Sequence, residues 1–265
     1  TTGADNTAVG TNALGANTTG AQNVAIGSSS LAANTIGDQN VAIGQNSLDS
    51  NTEGQKNVAI GFKALCTNTT ADQVVAVGCG ALISNTTGAN NVAVGSLSLE
   101  GTTTGSDNTA AGPASGLSLT TGSNNLLLGH DAGRSNSPNT VTTGSDRIVL
   151  GNNSITNAYI RVDWTVTSDL RDKMNIEPIS HGLDFVNQLN PIKFNFKKSR
   201  ENATSHGRKK YGFKAQDILA LEGEDNVIID NEDPNSLKYI GSHLVPVLVN
   251  AIKELKAEIE LLKNK

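Results

Sequence analysis

The sequence predicts a mainly β protein of 265 residues, in which a parallel β-solenoid or β-roll precedes a small α+β domain that ends in a long helix. Three observations predict this architecture. A glycine recurs every 17 residues through the first half of the chain, only 3% of the residues are aromatic, and eight of the nine aromatic residues follow position 158. The chain therefore joins a repetitive part without large side chains to a part with an ordinary core.

The repeat keeps its register without an insertion over eight units, from Gly10 to Gly129. An alternating triplet such as Val41-Ala42-Ile43 precedes each glycine, and a leucine follows six of the glycines after four residues. Seventeen residues suit one solenoid coil made of two short strands and two turns. Because stacked coils lie about 4.8 Å apart, equivalent residues form columns. We expect the Val/Ile and Leu columns to fill the interior and the glycine column to serve a turn.

Two further columns carry small or polar side chains. An asparagine stands four residues before the glycine in seven of the eight units, with Val74 as the exception. Stacked asparagines predict hydrogen bonds along the column. The alanine column, from Ala8 to Ala110, is expected to face away from the Val/Ile column, because neighbours in a strand alternate. This ridge either packs near the symmetry axis of a homo-oligomer or only shields a thin solenoid.

The repeated pattern N-V-A-I-G, as in Asn40 to Gly44, resembles the head repeats of trimeric bacterial adhesins. It resembles still more the N-T-T-G-rich repeats of phage tail-fibre proteins, over about residues 3–135. The resemblance implies a trimeric left-handed β-roll that is exposed to the outside and attaches to a host receptor or glycan. The 17-residue unit is longer than the usual adhesin coil.

The repeat ends after Gly129, where the spacing lengthens to 22 residues and Ile148 to Gly151 repeat the motif for the last time. The alternating segment Tyr159 to Trp164 predicts a neck or capping strand that protects the open end. We therefore predict three parts: a repeat domain at 1–144, a neck or capping segment at 145–167, and an α+β domain at 168–265.

The α+β domain is predicted to contain a helix from Gly182 to Leu189 and strands at Ile192 to Phe196 and Tyr211 to Lys214. Between these strands, Lys197 to Lys210 is rich in basic residues. It reads either as a solvated loop or as a clamp on an acidic partner surface.

The final helix is predicted from apolar residues at 3-4-3 spacing, with Ser242 as its N-cap and Pro246 in its first turn. They form an amphipathic seam of about two heptads: Leu248, Ile252, Leu255, Ile259 and Leu262. Because so short a coiled coil is marginal alone, the helix must pack on its own domain or on copies of itself.

The chemical candidate is the run from Ser168 to Lys173. A serine nucleophile needs a base, and a lysine can be that base where burial or nearby positive charge keeps it neutral. Arg171 is a candidate for this positive charge, and Asp169 and Asp172 would oppose it. The spacing alone is equally that of a helix cap with surface charges.

Several segments in order resemble one family, the C-terminal intramolecular chaperone autoprocessing domain of phage endosialidases, tail fibres and neck appendages. They are Thr167 to Asp169, Leu189 to Pro191, Tyr211 to Asp217 and Leu244 to Leu248. The resemblance covers about residues 160–265. It implies a homotrimer whose C-terminal domain assists the fibre to fold and then cuts itself off.

Carried onto this chain, the resemblance implies that Ser168 is the nucleophile, Lys173 its general base, and the Thr167–Ser168 peptide bond the cleavage site. The enzyme would be an autocatalytic serine endopeptidase that cuts only itself. Arg171 or a backbone amide is a candidate for stabilising the oxyanion. The expected location is a virion tail fibre or appendage.

Composition excludes other classes. No window approaches the roughly 18 apolar residues of a membrane span, and residues 1–150 hold 4 basic and 9 acidic side chains, which disfavours nucleic-acid binding. Cys66 and Cys79 form no metal motif, so we expect neither metal nor cofactor.

The start at Thr1 is expected to reflect a fragment or processed product. The alternatives are a bacterial surface adhesin and an extracellular fibre that cleaves polysaccharide, which would need paired carboxylates beside aromatic platforms.

Overall fold

The computed structural model describes residues 2–134, 140–161, 166, 168–197, 203–223 and 226–264. It divides into two compact units, Thr1–Ile155 and Thr156–Lys265. Of the segment predicted as a neck, residues 162–165 and 167 lie outside the described residues, and Thr156 to Arg161 form no strand. The predicted boundaries at 144 and 167 stay predictions.

The first unit is a parallel β-solenoid whose nine three-residue strands form one sheet in sequence order. Each strand pairs in register with the next, so that Ala25 lies opposite Ala42. The solenoid is confirmed, but each coil holds one strand where two were expected, and turns make up the rest. The strands are β1 Thr7–Val9, β2 Val24–Ile26, β3 Val41–Ile43, β4 Val58–Ile60, β5 Val75–Val77, β6 Val92–Val94, β7 Thr109–Ala111, β8 Leu126–Leu128 and β9 Ile148–Leu150.

The centre of each strand faces the interior, and its two flanks face outward. Ala42 and Ala59 are fully buried, whereas Ile26 and Ile60 are 38% and 37% exposed. The predictions that the Val/Ile column fills the interior and that the alanine column forms an outer ridge are therefore wrong. The buried leucine column packs in the same cluster as the alanines, so that a coil of 17 residues has room for only a methyl group across from each leucine.

Left-handed backbone turns aim the leucines inward. Leu31 and Leu48 have φ values of 52° and 51° and no exposed surface. A left-handed residue other than glycine costs about 1–2 kcal/mol, which burial of a leucine side chain, about 1.5–3 kcal/mol, offsets. The glycine column tolerates a side chain less well than the leucine column tolerates its left-handed backbone. Gly44 has φ +131°, and a Cβ there would lie 2.5 Å from the carbonyl oxygen of Gly61.

Buried polar groups bond from coil to coil. Asn23 Oδ1 accepts the backbone N–H of Asn40 at 2.9 Å, and its Nδ2 donates to the carbonyl of Gly37 at 2.9 Å. These contacts reach the backbone of the neighbouring coil. A second asparagine column bonds side chain to side chain, as from Asn34 Nδ2 to Asn17 Oδ1 at 2.9 Å. Both columns lock the register between coils.

The described part of the second unit contains three helices and two antiparallel strand pairs. Helices are α1 Leu183–Gln188, α2 Ala215–Glu222 and α3 Leu244–Lys263, with short 3-10 helices at Leu170–Asp172 and Gly241–His243. The strand pairs are β10 Ile192–Lys197 with β11 Ser205–Gly212, and β12 Ile229–Asp230 with β13 Lys238–Tyr239.

Two local predictions need correction, and one helix was missed. The predicted basic loop is strand from Ser205 onward, because β11 begins there and pairs with β10. Helix α2 was not predicted. Ser242 does not cap α3, because it lies in a 3-10 turn and His243 precedes the helix without a side-chain cap.

Helix α3 packs one face on its own domain and leaves another open. Leu244 and Val247 join the core of Phe185, Ile218, Ile228 and Ile229. The predicted seam stays exposed in the single chain, from 39% at Leu248 to 68% at Leu262.

Candidate active site at Ser168 and Lys173

A short 3-10 turn brings Lys173 back over Ser168. The turn spans Leu170–Asp172, and the backbone N–H of Lys173 donates to the carbonyl of Leu170 at 3.1 Å. Lys173 Nζ then donates a hydrogen bond to Ser168 Oγ at 2.8 Å. This is the distance that direct proton transfer between a nucleophile and its base requires.

Asp169 begins the turn and binds Arg171. Its carboxylate accepts the backbone N–H of Arg171 at 2.9 Å and the guanidinium Nη2 at 2.6 Å. The side-chain bond to Arg171, followed by the backbone bond, lowers the pKa of Asp169, and the same contact raises the pKa of Arg171. Because the two charges neutralise each other, Arg171 brings little net positive charge to Lys173.

The structure brings some of the predicted site residues into contact with one another and leaves others apart. Ser168 and Lys173 contact each other, and Asp169 and Arg171 form an ion pair beside them. The arginine candidate for the oxyanion is thus engaged with a carboxylate. Thr167, on the other side of the predicted cleavage bond, lies outside the described residues.

The site is open to solvent in the single chain. Every residue from Ser168 to Ser180 is exposed, including the large apolar side chains of Leu170, Met174 and Ile176 at 69%, 81% and 67%. A lysine amine accepts a proton only in its neutral form, and water favours the charged form. The pair has the geometry of a dyad but lacks the dry surroundings that one needs.

Two side chains of α3 anchor the chain that follows the site. Asn250 Nδ2 donates to the carbonyl of His181 at 3.0 Å, and Glu254 Oε2 accepts the N–H of Leu183, the first residue of α1, at 2.6 Å. Glycine at position 182 makes room, since a Cβ there would lie 2.2 Å from the Glu254 carboxylate. Sequence reasoning missed both residues, because partners about 70 positions apart leave no local signal.

A second anchor is the buried carboxylate of Glu222, at the end of α2. It is 4% exposed and accepts backbone N–H bonds from Val227, Ile228 and Ile229. Three donors satisfy the charge, so the carboxylate fixes β12 against α2. Nothing in the sequence pattern marks this glutamate.

Two general findings bear on the class of site. The described residues include no cluster of three or more His, Cys, Asp or Glu side chains that could hold a metal ion. Among the described helices, none is both long and apolar enough to cross a lipid bilayer.

Comparison with known protein families matches part of the second unit. The family model described as "Chaperone of endosialidase" matches residues 168–228, which include Ser168, Lys173 and the Glu222 anchor. No curated protein and no solved structure matches the chain. Residues 168–228 are therefore similar to the chaperone-of-endosialidase family, and with its nine-stranded parallel solenoid the chain fits a tail-fibre type protein that carries a C-terminal chaperone domain.

Proposed function

We propose that this chain is a tail-fibre protein for host attachment, whose C-terminal domain directs the assembly of three copies and then cuts itself off. The family match supports a chaperone role in trimerisation. The observation that carries the assembly is the exposed seam of α3, which has an apolar face and no partner in the described part of its own chain.

The sheet of the solenoid offers a second surface for assembly. Its outward columns are almost entirely aliphatic over nine strands, and Ile26, Ile60 and Val94 are 38%, 37% and 44% exposed. At about 4.8 Å per strand, this face is roughly 40 Å long. Exposed apolar surfaces of this extent mark interaction sites, and three such faces can meet around a three-fold axis. The axis thus lies against the Val/Ile columns and not against the alanines.

Identical coils explain why a chaperone is needed. If one chain slips by 17 residues against the others, nearly all contacts are regained, so wrong registers differ little in energy from the right one. Contacts between chains also form slowly, since they are not local. A domain that trimerises first sets the register, and its removal leaves a product held by its unfolding barrier.

The cleavage step follows from the contact between Lys173 and Ser168. Ser168 Oγ attacks the carbonyl carbon of Thr167 while its proton passes to Lys173 Nζ. The C–N bond then breaks, and the departing amine of Ser168 takes that proton. The resulting ester between Thr167 and Ser168 Oγ is hydrolysed by water, which gives a Thr167 carboxylate and a hydroxyl. The chain supplies its own carbonyl, so no substrate pocket is needed.

Cleavage would follow assembly, because the pair is exposed in the single chain. A neighbouring copy that covers Lys173 would exclude water and favour the neutral amine. The neutral amine can then accept the proton of Ser168. The released fibre would then attach to a host receptor or glycan through its solenoid. The scattered single carboxylates and the single phenylalanine of the repeat do not favour a polysaccharide-cleaving fibre.

Mass spectrometry of the full chain tests the cleavage. We expect the wild type to release a fragment that begins at Ser168, and Ser168→Ala and Lys173→Ala to stay whole as trimers. Lys209→Ala is the matched control, because it also removes an exposed lysine but lies on β11, outside the turn that carries the site. Release of the fragment from all four chains would contradict the dyad, and a wild type that stays monomeric would contradict the chaperone role.

A further inference from the structure

A groove of about 500 Å³ lies beside the first half of α3. Its walls are mostly apolar side chains, of which Ile179, Val245 and Val249 are 47%, 57% and 47% exposed. No side chain of the described part of the second unit fills it. The lining residues are Pro178, Ile179, Val245, Pro246, Val249, Asn250 and Lys253.

The segment that carries the candidate dyad exposes apolar side chains to solvent. Leu170, Met174 and Ile176 are each at least 67% exposed. Full burial of one such side chain contributes about 1.5–3 kcal/mol. Among the described residues, the same domain therefore presents an empty apolar groove and an apolar segment that no other side chain buries.

We infer that the groove beside α3 receives the Leu170–Ile176 segment of a second copy of this chain. The inference rests on the trimerisation proposed above and specifies its contact. Charge favours the pairing: Lys253 lines the groove, and residues 169–177 hold three carboxylates and two basic side chains, of which Arg171 is paired with Asp169. The other two carboxylates are those of Asp172 and Glu177. Both carboxylates are exposed.

The geometry of such a contact suits a closed ring. Segment and groove are different surfaces, so each copy donates its segment to one neighbour and receives the segment of the other. A head-to-tail contact of this kind closes into a ring when the rotation between neighbouring copies divides a full turn, as it does in a cyclic trimer. It also lays the helix of one copy over the Lys173 of the next, which excludes water from the dyad.

Cross-linking between differently tagged copies tests the contact. All chains carry Ser168→Ala to stay whole, and serine in place of Cys66 and Cys79. A tagged chain with Met174→Cys is expressed together with an untagged chain with Val249→Cys, and a short bismaleimide is added. The control replaces Val249→Cys by Leu261→Cys, which is also exposed but lies outside the groove.

We expect at least about tenfold more covalent heterodimer with the groove cysteine than with the control, because docking raises the effective concentration of the two thiols. Trimers of normal mass without this enrichment would overturn the inference and leave the proposed chaperone role intact. Cross-linking within single chains, when both cysteines are on one chain at dilutions where it is monomeric, would also overturn it. Chains that never associate would overturn both.

Discussion

Replacing the outward aliphatic residues of the sheet should weaken the trimer without unfolding the coil. In the triple variant Ile26→Gln, Ile60→Gln and Val94→Gln, each position has 37–44% of its surface exposed. At about 1.5–3 kcal/mol for full burial of such a side chain, this exposed share amounts to about 0.6–1.3 kcal/mol per position. Over nine positions in a trimer, the loss is about 5–12 kcal/mol.

Sedimentation equilibrium over a dilution series measures this loss. In the uncleaved Ser168→Ala background, we expect the concentration at which half of the chains are trimeric to rise at least about 30-fold. The control is Ile36→Gln, which is 47% exposed but lies in a turn away from the strands. An unchanged midpoint in the triple variant, or an equal shift in the control, would refute the assignment of the axis to the Val/Ile face.

Three further predictions concern single side chains. Glu222→Gln should lower the free energy of unfolding of the C-terminal domain by about 2–3 kcal/mol in chemical denaturation, because an amide cannot accept all three N–H bonds; Glu258→Gln, on an exposed face of α3, should change it by less than about 0.5 kcal/mol. Gly44→Ala should cost the solenoid about 3 kcal/mol or more in thermal unfolding, since its Cβ meets the next coil. Cys66 should react with maleimide more slowly than the exposed Cys79, because burial, and then Asp49, raise the pKa of the Cys66 thiol; equal rates would contradict this.

Local contacts in the C-terminal domain were predictable in part. The contact between Ser168 and Lys173 spans only five positions and is made by one turn, so spacing and resemblance together pointed to it. The anchors at Asn250 and Glu254 join elements about 70 positions apart, and only packing brings them together. The strand β11 was hidden by its basic composition, because pairing with β10 overrides the weak propensity of such a sequence.

The sequence by itself determined the coil length, the in-register stacking and the switch to a different kind of domain. Each of these follows from recurrence: a glycine returns every 17 positions, and the recurrence stops where the second kind of domain begins. Only the tertiary structure decided which side of the strands faces inward. Alternation shows that Ala59 and Ile60 point to opposite sides, but not which of them is buried. The width of the coil decides that, since a buried leucine already fills it and leaves room only for alanine.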